Sequence, residues 1–241
     1  MNLVGRLIRL FQRVRNVFRK KNKNEDDNTK IRYVVVDGNI GVGKSTMLAK
    51  LSEHYHVLPE PVDEWCSPIS HLGEIFPSPL ETFYSDPINT ALAFQIHVLS
   101  SRVKQLTSCA NKDGKLMVIE RDPFDMELFV KQSLETGGFT PLEYESFKSI
   151  CEEIPKAFGI EHVGSVYLRL DPTTCYERIR KRSRGAEDKL DMDHIRRMHD
   201  LHEAKYSAIS DVITCTVIDG NKSEDDCVKE AIEFLNKHTR C

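Results

Sequence analysis

Residues 34–50 read VVVDGNIGVGKSTMLAK, an apolar run followed by three glycines, a lysine and two hydroxyl residues. Within this stretch, Gly38-Asn39-Ile40-Gly41-Val42-Gly43-Lys44-Ser45 fits the pattern GxxxxGK[ST]. Glycines allow main-chain N–H groups to turn inward around an anion, and the helix that we expect to begin near Lys44 adds the positive end of its dipole. The segment therefore predicts a P-loop that binds a nucleoside triphosphate, since a simple glycine turn with a surface lysine would not require the complete motif.

The hydroxyl and amine groups of this loop have separate expected roles. Lys44 should reach the β- and γ-phosphates, and Ser45 should coordinate Mg²⁺. Thr46 should support the start of the helix or contact a phosphate.

Around the loop, short β-rich runs alternate with stretches of helical spacing, which is the order that produces a parallel sheet covered by helices. The expected strands are 33–37, 56–59, 116–120, 165–170 and 212–218. The expected later helices are 87–106, 141–158, 172–182, 192–209 and 224–238. We predict an α/β fold of the P-loop kinase type, with a five-stranded parallel sheet flanked by helices.

Composition describes an ordinary globular protein. The chain has 241 residues, of which 40% are hydrophobic and 29% charged, and its net charge of −3 gives no field suited to nucleic acid. The seven cysteines form no CxxC pair and indicate a reducing, cytoplasmic location. No apolar run approaches the roughly 20 residues of a membrane-spanning helix.

Residues 1–30 form a basic amphipathic extension with a polar linker, ahead of a catalytic domain predicted over 31–241. Three interpretations of the extension stay open. It is arginine-rich and acid-poor like a mitochondrial presequence, but residues 1–28 contain no serine. It also fits a helix that lies on an anionic membrane surface, or a solvated appendage.

The sequence after the P-loop indicates which kind of molecule accepts the phosphoryl group. No Asp is followed by Gly three residues later, which argues against a GTPase switch, and Asn221-Lys222-Ser223-Glu224 ends in Glu where a guanine-reading motif needs Asp. The segment Glu60-Pro61-Val62-Asp63-Glu64-Trp65 places a carboxylate at the carboxyl end of the second strand, where α/β sheets bind ligands. Glu60 is therefore a candidate general base.

Together with the P-loop, this EPV…W segment resembles the deoxyribonucleoside kinases of the deoxycytidine and deoxyguanosine kinase type, whose general base is that Glu. The resemblance runs from about Ile31 to the C-terminus. It implies Mg²⁺-dependent transfer of the γ-phosphate of ATP to the 5′-hydroxyl of a deoxyribonucleoside, a role in nucleotide salvage and a homodimer.

The resemblance also implies a nucleoside pocket. Tyr84 would contact the sugar 3′-hydroxyl and Gln95 the base, whose edge an amide can read as donor and acceptor. Trp65 and Phe94 would form apolar walls. In the segment after the third strand, Glu120 would help to hold Mg²⁺ and Arg121 would contact phosphate or the 5′-hydroxyl.

Base preference depends on one alignment step. The loop after Arg121 is one residue shorter than in the family if Asp125 and Phe129 match the family's Asp and Phe. Arg102 and Asp125 would then form the pair that accepts an exocyclic amino group, which favours a deoxycytidine-like substrate. Without the gap Met126 takes that position, and a thymidine-preferring or broad pocket becomes the alternative.

The segment after the fourth strand resembles the family's arginine-rich lid. Arg178 and Arg182 lie one helical turn apart and can converge on one anion, and Arg184 follows. Glu187 corresponds to a carboxylate on the sugar 3′-hydroxyl.

Two rival functions stay open: a nucleoside monophosphate kinase, which would need further cations for its acceptor, and a non-catalytic nucleotide-binding protein. His199 and His202 are spaced three apart but lack a third metal ligand, so we expect them on a solvent-facing helix.

Overall fold

The computed structural model describes residues 30–109, 116–125, 127–182, 190–209 and 213–239. The expected parallel sheet is confirmed, with five strands in the order β2-β5-β1-β6-β7. Its strands are β1 (Ile31–Gly38), β2 (His56–Leu58), β5 (Met117–Glu120), β6 (Ile160–Arg169) and β7 (Cys215–Asp219). A separate antiparallel hairpin consists of β3 (Ile69–His71) and β4 (Glu74–Phe76). The extension over residues 1–29, Met126, Arg184 and Glu187 lie outside the described residues.

Nine helices surround these strands in the described part of the chain. They are α1 (Lys44–Leu51), α2 (Val62–Cys66), α3 (Pro79–Ser85), α4 (Pro87–Cys109), α5 (Glu127–Glu135), α6 (Pro141–Phe158), α7 (Pro172–Arg182), α8 (Met192–Ile209) and α9 (Glu224–Thr239). The bounds expected for α6, α7 and α8 are confirmed. The hairpin, α2, α3 and α5 were not predicted. None of the described helices has both the length and the apolar composition needed to cross a bilayer.

The central strand β1 is buried on both faces, because helices cover the sheet on each side. Val34 and Val36 point into a core that includes Leu48 of α1. Tyr33 and Val35 point the other way, into a core that includes Leu106 of α4. This alternation follows from the two-residue period of a strand and explains why the run Tyr33-Val34-Val35-Val36 is continuously apolar.

The fold positions the site through the parallel direction of its strands. The central strand β1 pairs in parallel with β5 on one side and β6 on the other, so the connection after β5 crosses to the far half of the sheet. In open α/β sheets the crevice at such a switch point is the ligand-binding position. The carboxyl ends of β1, β2 and β5 therefore meet at one edge, where Gly38, Pro59 and Arg121 leave the sheet.

Packing of the P-loop on α7 gives the first prediction. An added Cβ at Gly41 would lie 2.5 Å from the Cys175 carbonyl oxygen, whereas one at Gly43 would meet only the Arg178 guanidinium, at 3.9 Å. Both glycines have positive φ, of +83° and +115°, so both alanine variants carry backbone strain. We expect Gly41→Ala to lose about 1–3 kcal/mol more unfolding free energy than Gly43→Ala, because only the first is overpacked.

Denaturant unfolding of the two ligand-free variants measures this difference. Equal losses of stability would show that the loop does not press on α7 as described.

Candidate active site

The P-loop connects β1 to α1 through three glycines with positive φ. Gly38, Gly41 and Gly43 have φ of 143°, 83° and 115°, and Gly43 is the N-cap of α1. A Cβ at Gly38 would lie 2.5 Å from the carbonyl oxygen of Leu168, so β6 leaves no room for a side chain there. Residues 40–46 of the loop line a cavity of about 1200 Å³.

Two residues predicted to bind ATP shape the loop and do not line this cavity. The Asn39 side chain donates to the carbonyl of Ile195 over 2.9 Å, and its amide oxygen accepts from the Ile40 N–H over 2.8 Å. Asn39 is buried, and neither it nor Gly38 contributes to the cavity wall. Asn39 therefore ties the loop to α8.

The Lys44 side chain folds back onto the loop. Its ammonium donates to the carbonyls of Gly38 and Asn39, each over 2.9 Å, and the residue is 5% exposed. Burial and the nearby Arg121 charge lower its pKa to about 8, although Glu120, Glu60 and Asp37 oppose this. An anion in the loop would supply the counter-charge that favours the cationic form.

Opposite the loop, Glu60 and Arg121 form an ion pair with 2.6 Å between Oε2 and Nη1. Arg121 has φ of 51°, which is unusual for a residue with a side chain, and such strain concentrates at functional sites. Its Nε is buried and has no hydrogen-bond partner among the described residues. Both side chains line the same cavity as the P-loop. Glu60, the candidate base, and Arg121, a candidate to contact phosphate, are therefore in one cavity.

Ser45 and Glu120 are the residues that fit a magnesium ion. Their oxygens lie 3.4 Å apart at the wall of the cavity, next to the loop. The second Glu120 oxygen accepts from the Glu60 N–H, also over 3.4 Å. A hydroxyl and a carboxylate are hard oxygen donors, which is the ligand type that Mg²⁺ prefers.

Several aromatic side chains line the cavity. Trp65 and Phe94 are in edge-to-face contact at 6.5 Å between ring centroids, and Phe83 stacks on Phe94 at 4.7 Å. Tyr84 and Phe129 also line the cavity, and the Arg121 guanidinium lies over the Phe129 ring. Phe83 was not predicted, although it directly precedes Tyr84 in the sequence.

Gln95 lines the cavity and has a side-chain oxygen that forms no hydrogen bond with the described residues. The residue is 4% exposed, and its Oε1 has no hydrogen-bond partner among the described residues. Leaving a buried carbonyl oxygen unpaired costs free energy, about 1–3 kcal/mol. A polar ligand that donates to Oε1 would remove this cost.

Arg102 and Asp125 have different protein partners in this structure, and their predicted joint role in base recognition stays a prediction. The Arg102 guanidinium donates to the carbonyls of Pro59, Glu120 and Arg121 over 2.6–3.1 Å and is 2% exposed. Asp125 instead forms an ion pair with Lys205, at 2.7 Å. Arg102 therefore joins the loops that follow β2 and β5, while both Arg102 and Asp125 line the cavity.

The described part of the predicted lid is the end of α7. Arg178 donates to the Val42 carbonyl over 3.0 Å, and Arg178 and Arg182 both line the cavity next to the P-loop. Arg184 and Glu187 are outside the described residues, so their roles stay predictions.

A buried polar network at the end of β1 was not predicted. Asp37 accepts from the Gly38 N–H, the Tyr206 hydroxyl and the Lys205 ammonium, each over 2.8 Å. His202 lies against the same carboxylate, with 3.4 Å between Nε2 and Oδ1, and is fully buried. The expectation that His202 faces solvent was therefore wrong, because this face of α8 packs on β1. Burial raises the Asp37 pKa, but Lys205 and His202 outweigh it and hold the pKa well below its usual range.

A P-loop, a facing carboxylate and arginine, and a separate aromatic compartment in one cavity define a P-loop phosphotransferase. A sequence model of the deoxynucleoside kinases matches residues 34–238. The chain belongs to the deoxynucleoside kinase family.

Relatives named for different substrates are similar to this chain. A probable deoxycytidine kinase of fowlpox virus is 29% identical over 174 residues, which are 71% of this chain and 70% of the relative. A thymidine kinase of ictalurid herpesvirus 1 is 31% identical over 212 residues, 85% of this chain and 86% of the relative. The solved structure of a deoxyadenosine kinase from M. mycoides has a TM-score of 0.70 at 22% identity, covering 85% of this chain and 99% of that one, which shows the shared fold.

The lowered pKa of Lys44 makes nucleotide binding proton-linked. Near pH 8.5 most of the free protein carries neutral Lys44, and phosphates that favour the ammonium raise its pKa, so binding takes up part of a proton. We expect ATP affinity to fall as the pH rises above about 8. Titration calorimetry at pH 8.5 in two buffers of different ionisation enthalpy measures the uptake.

The matched control is Lys104→Met, which removes an exposed ammonium on α4. It should show the same uptake as the unchanged protein. Binding heats that do not depend on the buffer would contradict the assignment.

The position of Arg102 predicts a structural phenotype. Arg102→Met removes charged donors from buried carbonyls and should lower the unfolding free energy by about 3 kcal/mol, since one such bond contributes roughly 1.5–3 kcal/mol. The activity ratio between deoxycytidine and thymidine should stay constant. Gln105→Met, which loses a hydrogen bond to the same Pro59 carbonyl, is a milder control. A changed deoxycytidine-to-thymidine ratio in Arg102→Met would show that Arg102 also takes part in base recognition.

Proposed function

We propose that this protein transfers the γ-phosphoryl group of ATP to the 5′-hydroxyl of a deoxyribonucleoside in the presence of Mg²⁺. The observation that carries the proposal is that Glu60 lines the same cavity as the P-loop and as Gln95, whose buried oxygen has no partner among the described residues. A nucleoside whose base is held at Gln95 would present its primary alcohol toward the carboxylate. Family membership supports a deoxynucleoside acceptor.

The chain's own residues supply positioning and charge. Glu60 accepts the proton of the acceptor hydroxyl, and Arg121, 2.6 Å away, neutralises the carboxylate before substrate arrives. Lys44 and Arg178 stabilise the negative charge of the transferred group. Bound at Ser45 and Glu120, Mg²⁺ would supply further neutralisation of the phosphate oxygens.

Asp125 supports a base that carries an exocyclic amino group, as in deoxycytidine. The Gln95 amide presents both a donor and an acceptor, so a 180° flip lets it pair with either a cytosine-like or a thymine-like edge. An ionised carboxylate only accepts hydrogen bonds. Asp125 therefore favours an amino group over a carbonyl oxygen, and thymidine preference is the alternative that this group opposes.

A substrate panel tests the proposal. Purified protein with ATP and Mg²⁺ should phosphorylate deoxynucleosides, deoxycytidine ahead of thymidine, and should leave the corresponding monophosphates unchanged. Phosphorylation of monophosphates alone would indicate the rival nucleoside monophosphate kinase. Thymidine as the best substrate would overturn the role of Asp125.

Glu60→Gln tests the base. We expect kcat to fall about 10²- to 10⁴-fold, because proton transfer is lost while the shape of the side chain is kept. Nucleoside binding, measured by calorimetry, should persist. Glu64→Gln changes an exposed carboxylate of the same segment and should leave kcat unchanged. An active Glu60→Gln protein would assign the base to another group.

A further inference from the structure

Lys205 occupies a central position between the nucleotide loop and the base-reading residue. This side chain from α8 forms ion pairs with Asp37 at 2.8 Å and with Asp125 at 2.7 Å, and only 12% of it is exposed. Asp37 is the last side chain of β1 before the P-loop glycines. One largely buried ammonium therefore connects Asp37, at the carboxyl end of β1, with Asp125, in the wall of the main cavity.

The two carboxylates depend on Lys205 to different degrees. Asp37 also accepts from the Tyr206 hydroxyl and the Gly38 N–H, so it keeps partners without the lysine. Asp125 has no other hydrogen-bond or ion-pair partner among the described residues. Lys205 engages its Oδ2, so Oδ1 keeps its capacity to accept a hydrogen bond, and Asp125 lines both the main cavity and a smaller second cavity. Lys205 is thus the group that fixes which Asp125 oxygen remains available.

Lys205 also sets the charge of Asp125. Burial keeps the Asp125 pKa above its usual value, Lys205 is the strongest influence that lowers it, and nearby Asp122 and Asp37 raise it further. Removing Lys205 from this partly buried carboxylate should therefore favour its protonated form. A protonated carboxyl both donates and accepts, and therefore no longer separates an amino group from a carbonyl oxygen.

We propose that Lys205 is a specificity-determining positioning residue, which holds Asp125 as an ionised, oriented acceptor and thereby gives the site its preference for amino-bearing bases. The inference rests on the proposed function, since it concerns the substrate choice of the same site. Lys205 acts through Asp125: the ammonium is engaged by two carboxylates and lies over the Tyr206 ring.

Two substitutions separate charge from structure. Lys205→Gln keeps a hydrogen-bond donor but removes the charge, whereas Lys205→Arg keeps the charge. We expect Lys205→Gln to reduce the ratio of kcat/KM for deoxycytidine to that for thymidine by about 10- to 100-fold, the range for a lost hydrogen bond to a charged group. Lys205→Arg should retain most of the ratio. A purely structural role would lower both kcat/KM values by one factor and leave the ratio unchanged, which would overturn the proposal.

A double-mutant cycle tests whether Lys205 acts through Asp125. Asp125→Asn mimics the uncharged carboxyl and should reduce the ratio to the level of Lys205→Gln. The double variant should show no further loss. Additive losses, or an unchanged ratio in Asp125→Asn, would each overturn the proposal. If Lys205→Gln does not fold, Asp125→Asn alone still tests the proposal. An unchanged deoxycytidine-to-thymidine ratio in Asp125→Asn would show that Asp125 does not select the base, so Lys205 could not set the preference through it.

Failure of this inference is distinguishable from failure of the proposed function. If the unchanged protein phosphorylates no nucleoside, the proposed function is wrong and this inference falls with it. If it phosphorylates deoxycytidine preferentially and the ratio is unmoved by Lys205→Gln, only the role of Lys205 is wrong.

Discussion

The ion pair between Glu60 and Arg121 is the interaction on which the site depends. It joins residues that follow two neighbouring strands, β2 and β5, across the mouth of one cavity. Beneath it, the Arg102 guanidinium binds main-chain carbonyls of the same two loops. The carboxylate proposed as the base is thus held by Arg121 directly, while Arg102 holds the carbonyl of the preceding residue, Pro59. Placement of Glu60 consequently depends on the edge of the sheet where β2 and β5 end.

Charge is distributed unevenly along the cavity, and this separates its two tasks. The cavity wall includes the cations Lys44, Arg178 and Arg182 as well as Gln95 and several aromatic side chains. Glu60 and Arg121 also line it and form an ion pair with each other. A triphosphate would gain from the cations, whereas an uncharged nucleoside would gain from apolar walls with few polar contacts. The two proposed substrates would therefore be bound by different groups of the same cavity.

The sequence predicted what local chemistry dictates and failed where distant contacts decide. Helical spacing predicted α6 with the bounds that the structure has, where Thr140 caps a helix that begins with proline, and the glycine pattern identified the P-loop. The hairpin β3–β4 is too short to leave a periodic signal. His202 was misplaced because periodicity within α8 does not reveal that a buried carboxylate lies against it. The sequence did contain one indication of that network. Asp37 places a charge at the end of an apolar strand, where a buried carboxylate needs polar partners.

Arg102 shows why residue spacing alone does not determine a binding pocket. Its distance from Gln95 in sequence fits a base-contacting pair, since seven residues are two turns of α4 and place both on one face. The arginine side chain is long, however, and its five N–H donors can bind any buried acceptor within reach. Here those acceptors are main-chain carbonyls left unpaired where strands end, so the guanidinium completes the fold. Asp125, the acceptor proposed to select the base, forms its ion pair with an ammonium from α8, an element that no motif connects to the base.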